Sequence, residues 1–183
     1  MEIIKNIKDI SLLKNLFLAI SATIILAISA KIKIPFYPVP MTMQTFVVLL
    51  LAVSFGWKLA TATITLYLFE GVIGLPVFAG SPEKGVGLIY FTGPTMGYLL
   101  GFLVTAFFAG NFEYGKNLIL NFLKLAFSVS FIYFFGLLWL GVLIGWDKPL
   151  FKLGAQPFLL AELFKILLIT LIVNKIQSLK NLI

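Results

Sequence analysis

Apolar runs long enough to cross about 30 Å of hydrocarbon, at about 1.5 Å per helical residue, recur along nearly all of this 183-residue chain. With no water to satisfy backbone N–H and C=O groups, such runs fold as helices that bond internally. Hydrophobic residues make up 61% of the chain and charged residues 11%, too little polar surface for a soluble globule. The chain reads as an all-α integral membrane protein, one domain over residues 1–183. Six helices are expected, at about 12–31, 42–55, 57–75, 94–111, 117–145 and 156–174.

The net charge of +7 comes wholly from lysine, with no arginine, and the lysines cluster at the edges of apolar runs, a pattern that suits lipid headgroups better than nucleic acid. Six spans put both termini on one side. Lys5, Lys8, Lys14, Lys58, Lys116, Lys124, Lys175 and Lys180 then share a face, against Lys31, Lys33, Lys84, Lys148 and Lys152 opposite. The positive-inside rule favours cytoplasmic termini in a multi-pass cell-membrane protein. Lys5, Lys8 and Lys14 before an apolar run, with Ala27-Ile28-Ser29 beyond it, resemble a signal peptide, but the run is long enough to span and is expected to be retained.

The chain has no cysteine and no histidine, which removes thiolate chemistry, imidazole bases and the commonest metal ligand. No metal site or cofactor is expected. Asp9 and Asp147 lie outside the spans, so no aspartyl dyad can form within them. An intramembrane hydrolase would have to use a Ser-Lys pair built on Lys165. Gly110-Asn111-Phe112-Glu113-Tyr114-Gly115-Lys116-Asn117 has the spacing of a phosphate-binding loop until Asn117 replaces the required Ser or Thr, and it joins two helices instead of leaving a strand.

The strongest functional lead is Glu162 and Lys165, on one helix face inside the apolar run Phe158–Val173. Each charge costs roughly 2.5–3.5 kcal/mol near a bilayer centre on insertion scales, so the pair calls for partners or a purpose. Pro157 in the first turn of this helix, expected to begin near Gln156, puts the pair in the outer half of the membrane on the six-span topology. A structural ion pair remains the alternative. Glu70 either neutralises Lys165 or lines the same cavity, or it sits at the interface, where Gly71 and Gly74 suggest its helix is ending.

Pro35, Pro38 and Pro40 make the segment from Lys31 to Thr42 extended, and such backbone at membrane depth must line a cavity. The Pro76–Pro94 connection is long and carries Val77, Phe78, Leu88, Ile89, Tyr90 and Phe91, too apolar for a loop in water, so it is expected to fold over something as a lid. Gly93, Gly97 and Gly101 form a smooth stripe for helix packing. Ala19, Thr23 and Ala27, with Ala22 and Ala30, form a second stripe, open to internal packing or to a partner's helix.

Pro35-Phe36-Tyr37-Pro38-Val39-Pro40-Met41-Thr42-Met43-Gln44-Thr45, then Gly74-Leu75-Pro76-Val77-Phe78-Ala79-Gly80 and Gly93-Pro94-Thr95-Met96-Gly97-Tyr98, resemble the BioY family of biotin transporters. With the Pro-Phe and acid-x-x-Lys pattern of the last span, the resemblance covers almost the whole chain. It implies a six-helix S component of an energy-coupling factor transporter, with long extracellular loops. Such a subunit captures biotin from outside and works with a transmembrane coupling protein and two ATPase subunits.

By the same resemblance Glu162 and Lys165 line the biotin pocket, and Ala19, Thr23 and Ala27 dock the coupling protein. Gln44, Phe36, Tyr37, Phe78, Tyr90 and Tyr98 are the expected further contacts, with Lys84 as the loop cation. Glu162 stands where the family more often has Asp, and Met96 where it more often has Gly. An S component for another small vitamin is the closest alternative.

Overall fold

The computed structural model describes the backbone of residues 2–180 and the side chains of residues 12–177. Lys5, Lys8, Asp9 and Lys180, used in the charge and aspartate arguments, lie outside the described side chains. The helices are α1 (Glu2–Lys31), α2 (Gln44–Val72), α3 (Met96–Asn111), α4 (Leu118–Ile144), the short α5 (Leu150–Gly154) and α6 (Leu159–Lys180). Among the described residues, Leu12–Lys31, Gln44–Val72, Leu118–Ile144 and Leu150–Gln177 are long and apolar enough to cross a membrane, and Met96–Asn111 is a shorter apolar helix.

The expected spans at 42–55 and 57–75 are the two arms of α2, 44–55 and 57–72, joined without a loop. Gly56, at φ 72° and ψ 169°, makes the break, in a backbone region open almost solely to glycine. The chain reverses there. Gln44 Nε2 donates to Tyr67 OH at 2.8 Å although the residues are 23 apart, a separation of about 35 Å along a continuous helix.

The expected helix at 156–174 starts later and runs further, as α6. Ahead of it lie α5 and a 3₁₀ turn over Gln156–Phe158 that contains Pro157. The segment from Lys31 to Thr42 is extended as expected, and it adds a small departure from an all-α fold. Lys33–Ile34 pairs antiparallel with Met41–Thr42, in the register Lys33 to Thr42 and Ile34 to Met41.

Large side chains such as Leu12, Phe17, Ile28, Leu160, Phe164 and Leu171 face outward, as hydrocarbon solvent allows, while Leu26, Leu49, Ile64, Leu125, Ile132 and Ile169 fill the interior. Close helix contact depends on small residues. A Cβ at Gly97 would strike the backbone of Phe135, and one at Gly101 that of Ile132, both on α4. Thr105 Oγ1 donates across the same crossing to Ser128 O at 2.8 Å. Gly93, the expected third member of this stripe, precedes α3 and accepts from Trp139 Nε1 at 2.9 Å.

The small-residue stripe of α1 turns inward. Ala19, Ala22, Thr23 and Ala30 are buried within the chain, and Ala27 packs against the core. Thr23 Oγ1 donates to Glu70 Oε1 at 2.8 Å. The stripe expected to dock a partner's helix, Ala19, Thr23 and Ala27, packs within this chain: Thr23 satisfies a carboxylate on α2, its neighbours let α1 approach, and Ala27 stays partly exposed. The same bond places Glu70 beside α1, two residues from the end of α2. It does not neutralise Lys165.

The phosphate-loop look-alike is a helix–helix turn. Asn117 caps α4, its Oδ1 accepting from Leu120 N at 3.1 Å, and buried Asn121 bonds both backbone groups of Gly115. The residue that broke the nucleotide pattern is a helix cap.

Gly56→Ala is expected to lower stability by about 1–3 kcal/mol through backbone strain at the hairpin turn. An unchanged melting temperature in detergent would contradict this assignment.

Candidate functional site

Glu162 lies in the first turn of α6, where the positive end of the helix dipole favours a carboxylate. Lys165 follows one turn later and points the same way. Both are buried, with side chains 5% and 9% exposed, and their charged atoms are 3.4 Å apart. Left alone, such a pair loses more in desolvation than it gains by attraction, so its other contacts decide whether it is tolerated.

Those contacts are complete on the cation. Lys165 Nζ donates to Thr42 O at 2.7 Å, to Thr45 Oγ1 at 2.8 Å and to Glu162 Oε2 at 3.4 Å, using all three ammonium protons. The paired ribbon presents the Thr42 carbonyl, and the first turn of α2 presents Thr45.

The carboxylate is lopsided. Oε2 accepts from Tyr133 OH at 3.0 Å and from Thr45 Oγ1 at 3.1 Å, as well as from Lys165. Oε1 is buried and has no hydrogen-bond partner. A buried charged oxygen without a donor costs on the order of 1–3 kcal/mol or more, which marks it as an acceptor held for something else.

The pair forms part of the wall of a cavity of about 50 Å³, several times the roughly 10–15 Å³ that admits one water. Its polar wall also carries Thr42, Gln44, Thr45, Thr95 and Tyr133, and its apolar wall includes Leu99, Phe102, Ile132 and Phe158. Two apolar grooves, of about 350 and 500 Å³, flank α6 on its outer sides.

Of the residues expected at the site, Glu162, Lys165, Gln44, Tyr90 and Tyr98 line this cavity. The structure does not bring Phe36, Tyr37, Phe78 and Lys84 into its wall. Phe36 stands one layer back, edge-on to Phe158 at 5.8 Å between centroids. Tyr37 is 91% exposed, carried outward by the turn that links the two strands. Lys84 is exposed and lies along Gly80 within its own loop. Phe78 is fully buried behind the cavity, against Tyr67, Tyr90 and Phe91 and against Gly71, where a Cβ would overlap its ring.

In the 76–94 connection Phe78 and Tyr90 are buried and Val77 and Phe91 pack against the core, whereas Leu88 and Ile89, also expected to turn inward, are 70% and 72% exposed; the connection is tied down at several points. Tyr67 OH donates to Val77 O at 2.9 Å, and Tyr90 OH to Ala79 O at 2.8 Å. Lys31 Nζ, at the end of α1, donates to Phe78 O, Ser81 O and Ser81 Oγ at 3.1, 2.8 and 3.2 Å. Burial pushes the Tyr90 phenol up, so it stays a neutral donor.

Among the site residues that the sequence reasoning missed are Thr45, Tyr133 and Phe158. Thr45 and Tyr133 carried a usable signal, because a hydroxyl in an apolar helix needs a partner and a nearby buried charge can supply one. Lys165 bonds no serine among the described residues; its hydroxyl partner is Thr45, which removes the Ser-Lys pair that a hydrolase would need.

The family model described as the BioY family matches residues 4–181. The chain belongs to the BioY family. Relatives across the family's range support the match. A probable biotin transporter BioY of Pyrococcus horikoshii is 32% identical over 93% of this chain and 97% of its own length. The biotin transporter BioY of Thermotoga maritima is 33% identical over 86% of this chain and 92% of its own. The fold is similar to a crystal structure of the S-component for biotin from an ECF-type ABC transporter, at a TM-score of 0.77 and 26% identity, covering 92% of this chain and 93% of that one. These BioY relatives are named as transporters, not as enzymes, and the apolar helices are those of a multi-pass membrane protein.

The Gln44–Tyr67–Val77 chain of bonds joins both arms of α2 to the loop. Tyr67→Phe should lower stability by about 1–3 kcal/mol, because it strands the buried Gln44 amide and Val77 carbonyl. It should also speed proteolysis within 76–94. Wild-type cleavage rates there would argue against the tether.

Proposed function

We propose that this chain is the biotin-binding S component of an energy-coupling factor transporter, capturing biotin from outside the cell. The observation that carries the reading is the unpartnered Oε1 of Glu162, a residue that lines both the cavity and one apolar groove beside α6, next to a lysine that has spent all its protons. A cyclic urea supplies what this arrangement lacks: an N–H donor for Oε1 beside a carbonyl oxygen that needs a donor. Lys165 can provide that donor by giving up its longest contact, the 3.4 Å one to Glu162. The aromatic and aliphatic wall has the character a fused ring and an alkyl chain need, and the cavity of about 50 Å³ must widen toward the roughly 300–1,000 Å³ of small-ligand sites to admit them. In this reading the valerate tail runs toward the loop side, past Ala79 and Tyr90.

The chain crosses the membrane six times, by α1, both arms of α2, α3, α4 and α6, with the termini cytoplasmic and the site in the outer half. The hairpin at Gly56 supports the count and the lysine distribution supports the orientation. Delivery of biotin to the cytoplasm is driven by partners, a transmembrane coupling protein and two ATPase subunits.

Biotin should raise the melting temperature of the purified protein, since a ligand at about 100 times its Kd adds roughly 2.7 kcal/mol to stability. Glu162→Gln should weaken binding by at least about tenfold, having lost a charge-assisted hydrogen bond. Lys165→Ala should cost about 3–5 kcal/mol of stability as well, because it leaves the carboxylate buried without its cation. No shift with biotin, but a shift with another vitamin from a panel, would replace the ligand in this reading. Unchanged biotin affinity in Glu162→Gln would make the pair structural.

A further inference from the structure

One oxygen of Glu162 is crowded while the other is bare. Oε2 receives Tyr133 OH, Thr45 Oγ1 and Lys165 Nζ, from α4, α2 and α6 respectively. Thr45 has one hydroxyl proton, and because its oxygen accepts from Lys165 at 2.8 Å, that proton is free to go to Glu162. Tyr133 is itself held, stacked on Phe158 at 6.5 Å and edge-on to Tyr98 at 6.4 Å between centroids. Tyr98 in turn donates to Gly154 O at 2.8 Å. Tied through one oxygen to α4 and α2, contacts that remain when Lys165 on its own helix turns to a ligand, the carboxylate is held from swinging to offer both oxygens.

Resting on the reading of biotin as ligand, we infer that Tyr133 and Thr45 are positioning residues that set specificity. They fix Glu162 so that Oε1 alone meets the ligand. The two N–H bonds of a cyclic urea diverge, one on each side of the carbonyl, so one acceptor on one side serves one nitrogen. The site therefore distinguishes the two ureido nitrogens of biotin, tolerating a substituent on one and rejecting it on the other. Tyr133 and Thr45 act through the carboxylate and need no bond to the ligand for this.

The test compares biotin with its two regioisomers methylated at one or the other ureido nitrogen, titrated calorimetrically into the full chain in detergent. The wild-type protein should bind one isomer at least about tenfold more tightly than the other, the usual scale for a hydrogen bond to a charged group. Tyr133→Phe keeps the ring packing and removes the hydroxyl. It should weaken biotin by about tenfold and narrow the ratio between isomers, because the carboxylate is freed. Thr45→Val should narrow the ratio also, whereas Thr45→Ser, which keeps the hydroxyl, should preserve it. Equal binding of the isomers by the wild-type protein, or a ratio unchanged in both Tyr133→Phe and Thr45→Val, would overturn the inference even if overall affinity fell. A wild-type protein that binds no biotin would overturn the ligand itself, a distinct result, and the inference with it.

Discussion

A buried ammonium beside a buried carboxylate is the constraint around which the rest is arranged. Lys165 is tolerated in the interior because Thr42, Thr45 and Glu162 each take one of its protons. Two of these acceptors come from the junction of the ribbon and α2, so the ion pair on α6 also pins the start of α2. The coupling is reciprocal. The extended segment after α1 must return its Thr42 carbonyl to the right height, and the pairing of Lys33–Ile34 with Met41–Thr42 holds it there.

From that point the structure closes on itself. Gln44, one residue before Thr45, reaches Tyr67 on the returning arm of α2, and Tyr67 reaches Val77 in the loop. The Gly56 turn thus has a consequence beyond compactness: it brings the loop side of α2 beside the site. Phe78, seated on Gly71 and flanked by Tyr90, fixes the loop from within. A small, mainly apolar cavity remains, lined in part by Glu162, whose Oε1 is buried without a partner.

The helices were legible because hydrophobic length is decisive in lipid, and the two arms of α2 were separable because a glycine interrupts the run at 56. What made that break a direct hairpin was not legible, since a positive φ has no compositional trace beyond the glycine itself. The acid and lysine stood out by their cost. Thr45 and Tyr133 did not, because in an apolar helix a hydroxyl or a ring looks like packing until the charge it serves is known. Phe36 and Tyr37 were expected in the pocket as aromatic walls and Lys84 as its loop cation, but the strand-to-strand turn and the loop surface carry them elsewhere. The stripe on α1 was open to two readings, and the carboxylate of Glu70 accounts for why Thr23 faces inward.

The length of the Glu162 side chain fits this arrangement. Its reach lets Oε2 meet Tyr133 and Thr45 together while the second oxygen stays free. The central claim is that this free oxygen is the ligand's anchor, and a structure of the chain determined with biotin bound tests it most directly. The account predicts a ureido N–H donating to Glu162 Oε1 at about 2.7–3.2 Å, with Oε2 still held by Tyr133 and Thr45. Biotin bound with its ureido ring away from Glu162, or with Oε1 still unpartnered beneath it, would contradict the account.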